Sequence, residues 1–462
     1  MNNMNFRNRK GYALMALCLL LASLSAAASN VGKRYPSEKY TTVDRVTGRT
    51  LTVLTASEHS DAKPYQTHET WTADGEWIIF RSNRGGNGSQ FFAVHETTGA
   101  IVQLTDNPSV NGGSINLSRK EMKLYYLRGG TNAGTAGGTE QPRQIMELHI
   151  GNLLKDAMAD GVKAPESYER IVVTLPEDVR GSGMALDADE TRLYLGVTPG
   201  RPEASRQSAS RPAASRPASS ADSSSRSSID SRNTNVAETR EEARARFEAA
   251  GKGRSGIRVI DVQSGKIDKV IDVDLRMGHL QANPWTPGEI IYCHETTGDA
   301  VQRIWAVRAD GTGNRPLYVE TPDEWVTHET ASGPDEVMFN IMGHLPYLRE
   351  KPTGIAVLNL RTGRMKLLGQ IEEDMGEGRQ GGFWHCNGSP DGRWATGDTF
   401  RGSIYLINRE TGERTLLTTG HPMRPDHTHP VFSPDSRRIL IQSGLFTGGK
   451  ALHLMTVPVE RD

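Results

Sequence analysis

Cysteine is nearly absent from this sequence. The 462 residues include three, and one of them, Cys18, lies in an apolar N-terminal stretch. The other two, Cys293 and Cys386, are too few for a disulfide framework. Each stands beside a histidine, His294 and His385, so the two could lie near each other, and a single bridge between them is left open. An excess of one charge sign is also missing. The chain has 54 basic and 55 acidic residues, which gives no footing for nucleic acid or an anionic membrane as a partner. No long polar-free run follows the N-terminus, so no spanning helix is expected. Nor does the chain contain a G-x-S-x-G turn, which removes the peptidases that carry a propeller beside a hydrolase domain.

The N-terminus has the pattern of a signal peptide. Arg7, Arg9 and Lys10 form a basic region, "GYALMALCLLLASLSAAA" an apolar one, and small residues place cleavage after Ala28. Leu17 before Cys18 argues against a lipoprotein signal. Residues 1–28 are therefore read as a signal peptide, with the mature chain exported to the periplasm and no membrane contact after removal.

Repetition decides the fold. A turn with Pro, Asp or Gly followed by a short apolar strand recurs seven times: "TWTADGEWIIFRSN", "NLSRKEMKLYYLRGG", "ALDADETRLYLGV", "PWTPGEIIYCHE", "SGPDEVMFNIMG", "GSPDGRWATGDTF" and "VFSPDSRRILIQSG". Between copies lie hairpins such as "IRVIDVQSGKIDKVI" and "IYLINRETGERTLLT", whose Ser-Gly and Thr-Gly pairs supply positive φ at the turn. Four strands per unit, most units about 45 residues apart, predict an all-β, seven-bladed β-propeller over residues 29–462. "TTVDRVTGRTLTVLT" has no leading copy of its own and is expected to complete the last blade. Separate β-sandwiches would not keep this spacing. Residues 199–253 interrupt it with a Ser/Arg/Pro-rich segment, expected to be disordered. "VAETREEARARFEAAG" then predicts a short surface helix, and the whole insertion is placed between the third and fourth blades.

Histidines recur at one position. His68, His279, His328, His385 and His427 each lie a few residues before a repeat turn, on or near innermost strands that converge on the channel. His427 and His429, two apart on an expected strand, would share a face. Neutral imidazoles from different blades are a plausible site for a divalent metal. "WVTHET" and "YCHET" place Glu329 and Glu295 beside His328 and His294, and a carboxylate behind a ligand imidazole orients it.

"GHLQANPWTPGEIIYCHET", "IWAVRADGTGNRPLY", "WVTHET" and "HTHPVFSPDSRRILIQS", in this order, resemble the oligogalacturonate lyase family. The resemblance implies a seven-bladed propeller with a helical insertion and a carbon–oxygen lyase acting on pectin-derived oligogalacturonides. It implies Mn²⁺ held by His328, His427 and His429, and His279 as the catalytic base. His294 and His385 would line the substrate pocket. The family's fourth metal ligand, a glutamine, would fall on Arg424, which cannot ligate a cation. Asp426, His385 or water would then take its place, and Arg424 would meet a substrate carboxylate. The family's catalytic arginine has no clean match, Arg254 and Arg258 both being candidates. The competing class is a TolB-like binding propeller, which gives no reason to gather six histidines near one axis.

Overall fold

The computed structural model describes residues 29–130, 141–199, 239–296, 302–320, 324–341, 353–371 and 381–459. The expected signal peptide and residues 200–238 of the insertion lie outside them. The recurring turn explains itself. Its closing position needs a left-handed backbone, supplied by Gly75 (φ 73°) and Gly392 (φ 71°). Glu190 (φ 61°) and Ser436 (φ 59°) take the same conformation without glycine. In three copies the turn is tied internally, where Thr72 donates to Asp74 at 2.5 Å, Ser389 to Asp391 at 2.7 Å and Ser433 to Asp435 at 2.6 Å.

The strands form seven antiparallel sheets. In chain order these blades span 61–103, 116–174, 179–273, 277–316, 326–371, 383–418 and 431–458. The first strands of blades 2 to 7 touch one another in succession. The side-chain period of two sends each blade's apolar residues alternately to its two neighbours. In blade 1, Ile79 and Phe91 pack toward blade 2, while Ile78, Phe80 and Phe92 pack toward blade 7. Among the described residues an apolar cluster fills each gap between blades.

The ring closes as expected. Thr50–Val53 pairs with His453–Pro458 of blade 7, setting Thr52 opposite Thr456 and Val53 opposite Met455. Tyr40–Val43 lies outside it. A further short strand, Arg34–Tyr35, pairs with the outer edge of blade 1, which the repeats did not indicate. Asp44 fastens the closing hairpin to blade 6. It accepts from the backbone N–H of Val46 and Thr47 and, across the blade gap, from the Thr418 hydroxyl (2.7 Å) and the Thr419 N–H (3.0 Å). Burial opposes its ionisation, but these bonds outweigh it and bring the pKa down to about 2. The folded value lies below the unfolded one, so the stabilisation is present above about pH 4 and is lost as pH falls toward 2. Asp44→Asn is expected to cost about 2 kcal/mol near neutrality. That difference from wild type should shrink at low pH, which denaturant titration at two pH values reads.

The insertion needs a correction. Helix α2, Arg240–Gly251, sits inside blade 3, between its strands Arg192–Pro199 and Ser255–Asp261, not between the third and fourth blades. The repeat marks the turn between first and second strands, so the interval to the next copy still contains two strands of the same blade. The helix itself is where its residues predict, with Thr239 and Glu242 forming a capping box. Helix α1, Ile150–Met158, lies inside blade 2 and buries Ile150, Leu153, Leu154 and Ala157. That i, i+3, i+4, i+7 spacing was its signal in the sequence. Among the described residues no helix is long and apolar enough to cross a membrane. Cys293 and Cys386 are buried free thiols, which removes the bridge left open above.

Candidate active site

The channel is crossed by a piece of blade 1. After the strand Asp61–Ala62 the chain leaves the sheet, and Pro64–His68 reaches toward the opposite blades. The Gln66 amide donates to the carbonyls of Cys386 (3.1 Å) and His328 (3.4 Å). His68 Nε2 bonds the carbonyl of Met184 at 2.9 Å. The Tyr65 ring then lies among His279, His385 and His429, with centroids 5.3, 6.3 and 5.1 Å away. Burial raises the pKa of Tyr65 well above its ordinary value, so the phenol keeps its proton.

On one side of Tyr65 stand His385, His427 and His429, each offering a ring nitrogen within 4.8 Å of the others. His385 lies on the innermost strand of blade 6, Phe383–Gly388. His427 and His429 precede the two-residue strand Val431–Phe432 on irregular backbone, not on the strand expected for them. Their rings are nonetheless stacked, 5.8 Å apart. Asp398, fully buried, organises this group. It faces Nδ1 of His385 at 3.0 and 3.1 Å, and accepts from the Thr428 hydroxyl (2.6 Å) and the His429 N–H (3.3 Å). A proton held on Nδ1 leaves the Nε2 lone pair of His385 free.

His328, expected as a metal ligand, stands beside His385, with centroids 4.2 Å apart, outside the group whose nitrogens converge. His385, expected against substrate, is the third member of the group whose nitrogens converge. Asp426, one of the substitutes weighed for the missing glutamine, lies 3.3 Å from His429 Nε2. Arg424, expected to meet a substrate carboxylate, has an exposed side chain. A glutamine is present, but from the second strand of blade 7. Gln442 spends its amide on Asp426, the His427 carbonyl and the Lys63 N–H.

These residues suit a divalent cation. Burial first, then the neighbouring histidines, hold the pKa of His385 and His328 well below the ordinary value. Burial and His429 lower that of His427 as well, so these rings are neutral near pH 7. Among the described residues the Nδ1 atoms of His328 and His429 are buried without a hydrogen-bond partner, a cost a bound cation would relieve. One adjustment is required. The Trp384 indole donates to Nδ1 of His427, so ligation by that ring needs the indole to yield or the ring to turn over.

On the other side of Tyr65, His279 lies on the innermost strand of blade 4, Met277–Ala282. Its Nδ1 is 3.1 Å from Oε1 of Glu329, a fully buried residue on the innermost strand of blade 5. Burial opposes the charge on Glu329, but His279 and Arg303 prevail and hold its carboxyl below the usual value. An ionised Glu329 accepts from a proton-bearing Nδ1 of His279 and leaves Nε2 as the edge that can take up a proton from a substrate. His279, Cys293 and Glu329 also come within 4.8 Å of one another. Arg303, 4% exposed and 3.9 Å from Glu329, already balances that carboxylate and disfavours a second cation there.

Backbone conformation aims these rings. His279, His328 and His429 have φ of 44°, 56° and 44°, a region that side chains other than glycine's seldom enter. In blades 4 and 5 the strand pairing slips at Gly278/Gln281 and Thr327/Thr330, so each histidine sits in a bulge that turns it out of the regular alternation. His294 does not join them; its Nε2 bonds the Gly251 carbonyl at the end of α2. Arg254 and Arg258 pair with Asp274 and Asp272. An arginine that does reach the site is Arg303, beside Glu329. Tyr65, Lys63, Asp398 and Arg303 had no signal in the repeats. A charged residue within an apolar strand, as in "WATGDT", was the available hint for Asp398.

No family model matches the chain. It is 24% identical to the oligogalacturonate lyase of Dickeya dadantii over 228 residues, covering 43% of this chain and 54% of that protein. It is likewise 24% identical over 220 residues to the oligogalacturonide lyase of Pectobacterium atrosepticum. The chain thus matches about half the length of these curated relatives. Two solved structures share the fold over nearly the whole length. An oligogalacturonate lyase in complex with manganese superposes with a TM-score of 0.68 at 18% identity, covering 93% of this chain and 98% of that one. The oligogalacturonate lyase of Vibrio parahaemolyticus gives 0.68 at 17% identity, covering 93% and 99%. The seven-bladed propeller is shared, and the sequence resembles these lyases.

Proposed function

We propose that this protein is a lyase that cleaves 4-linked oligogalacturonides by β-elimination. The observation that carries the reading is the placement of a carboxylate-backed histidine and a three-histidine group on either side of Tyr65. β-Elimination on a uronide removes the C5 proton, α to a carboxylate, and expels the C4 oxygen. His279 Nε2 takes the C5 proton, while Glu329 holds the opposite edge of the ring and stabilises the imidazolium that forms. A divalent cation, Mn²⁺ by the likeness to the manganese complex, would be held by His385, His427 and His429 with Asp426 beside them, and when bound supplies Lewis-acid stabilisation to the substrate carboxylate. The Tyr65 ring packs against a histidine of each group.

The product carries a C4–C5 double bond conjugated to its carboxylate and absorbs in the near ultraviolet. The deciding assay follows that absorbance with a panel of oligogalacturonides and other uronides, with chelator and with added Mn²⁺. Growth that chelator abolishes and Mn²⁺ restores supports the reading. Silence on every uronide would favour a binding propeller instead. The leader-like stretch 1–28 supports action in the periplasm. A mature N-terminus at Ser29 is the expected result of sequencing protein recovered from that compartment.

A further inference from the structure

A cavity opens beside the three-histidine group, on the side of blades 1 and 2. Its walls include Lys63, Tyr65, Arg81, Gly112, Asp426 and His429. Two of these are cations, and they stand on neighbouring strands of one hairpin. Ala62 pairs directly with Arg81, and Lys63 follows Ala62. Elsewhere in this ring, buried cations are matched: Arg84 by Glu38 and Asp61, and Arg303 by Glu295 and Glu329. Lys63 and Arg81 are not. Among the described residues neither has a carboxylate within ion-pair distance, and the 4%-exposed Lys63 bonds only the Pro64 carbonyl through its ammonium.

Two cations that line one cavity without an ion-paired carboxylate repel each other, and burying one of them costs free energy. Burial pulls the pKa of Lys63 down to about 7, against the pull of Asp426 and Asp398. Those two carboxylates are already engaged with the histidine group, Asp426 on His429 and Asp398 on His385. Among the described residues Lys63 and Arg81 thus line the cavity without a carboxylate of their own. Such a pair beside a site for one carboxylate is suited to a second carboxylate on the same ligand. An oligouronide carries one carboxylate on every sugar.

The geometry points to Arg81 and Lys63 as a second uronate subsite, which takes the carboxylate of the sugar next to the one at the histidine group. This rests on the uronide reading of the previous subsection. Its test is therefore binding as well as turnover. Galacturonate and its dimer and trimer are titrated by calorimetry into Mn²⁺-loaded wild type, Arg81→Met, Arg81→Lys and Lys63→Met, each checked by thermal melting.

In wild type, affinity is expected to rise from monomer to dimer. Arg81→Met and Lys63→Met should each remove about tenfold of the affinity for dimer and trimer while leaving the monomer as in wild type. Arg81→Lys should recover part of the loss. Dimer and trimer bound equally well by Arg81→Met and wild type would overturn the subsite, and the lyase reading would stand if the wild type still turned them over. A length-dependent loss in Arg81→Met without turnover of any uronide by wild type would keep the subsite and overturn the lyase. A wild type that binds no uronide overturns both.

Discussion

Replacing His279 by alanine is expected to lower turnover of a 4-linked oligogalacturonide by two to four orders of magnitude, the usual worth of a positioned general base. The reason lies in the ring's surroundings. Its Nδ1 is committed to a buried carboxylate whose pKa lies below the usual value. The other nitrogen is then the sole basic edge. Substrate affinity should change little, because nothing assigns His279 a share in holding a carboxylate. The measurement is initial rate by near-ultraviolet absorbance, with affinity determined separately by calorimetry. Glu329→Gln separates chemistry from packing. It keeps the shape but presents an uncharged group to Nδ1, so a smaller fall in turnover is expected with the melting temperature little changed. Full turnover by the alanine variant would remove His279 from the mechanism.

Asp398→Asn is expected to weaken Mn²⁺ binding ten- to a hundredfold, the usual effect of losing the group behind a ligand imidazole. Asp398 accepts from the backbone and ring of His385, the hydroxyl of Thr428 and the backbone of His429. An asparagine offers one acceptor and one donor. Where its NH₂ faces Nδ1 of His385, two donors meet and the ring must move its proton to Nε2, closing the lone pair that points at the other histidines. Calorimetric titration of Mn²⁺ reads this directly, without substrate. The result also decides between two ligand sets. If the cation is held by His328, His427 and His429, as the resemblance implies, the loss of affinity should be smaller, since Asp398 then acts only through the Thr428 hydroxyl and the His429 backbone. If His385 is the third ligand, the full loss is expected.

The difference between those sets shows where sequence reasoning reached and where it stopped. Blade number and ring closure were legible because they rest on local chemistry, a left-handed turn position and a period-two strand repeated along the chain. The position of α2 was misread by two strands because the repeat marks one turn per blade, not the blade's boundary. At the site, sequence proximity misled. Glu329 follows His328 but serves His279 of the neighbouring blade, since adjacent residues on a strand face opposite ways. His427 and His429 share a face without being on a strand, and the left-handed backbone at His429 leaves no mark in composition. Tyr65 and Lys63 were invisible for another reason. They belong to a stretch that departs from its blade, and no periodicity describes such a departure.

That stretch also changes how the molecule should come apart. A chain of like units normally holds together through contacts between immediate neighbours, so it can fray one unit at a time from an end. Here residues from the first unit are bonded to the third, fifth and sixth through His68 and Gln66. Pulling that unit away removes a shared tie from three distant ones at once. Loss of structure should therefore be sharp, with no partly opened ring along the way.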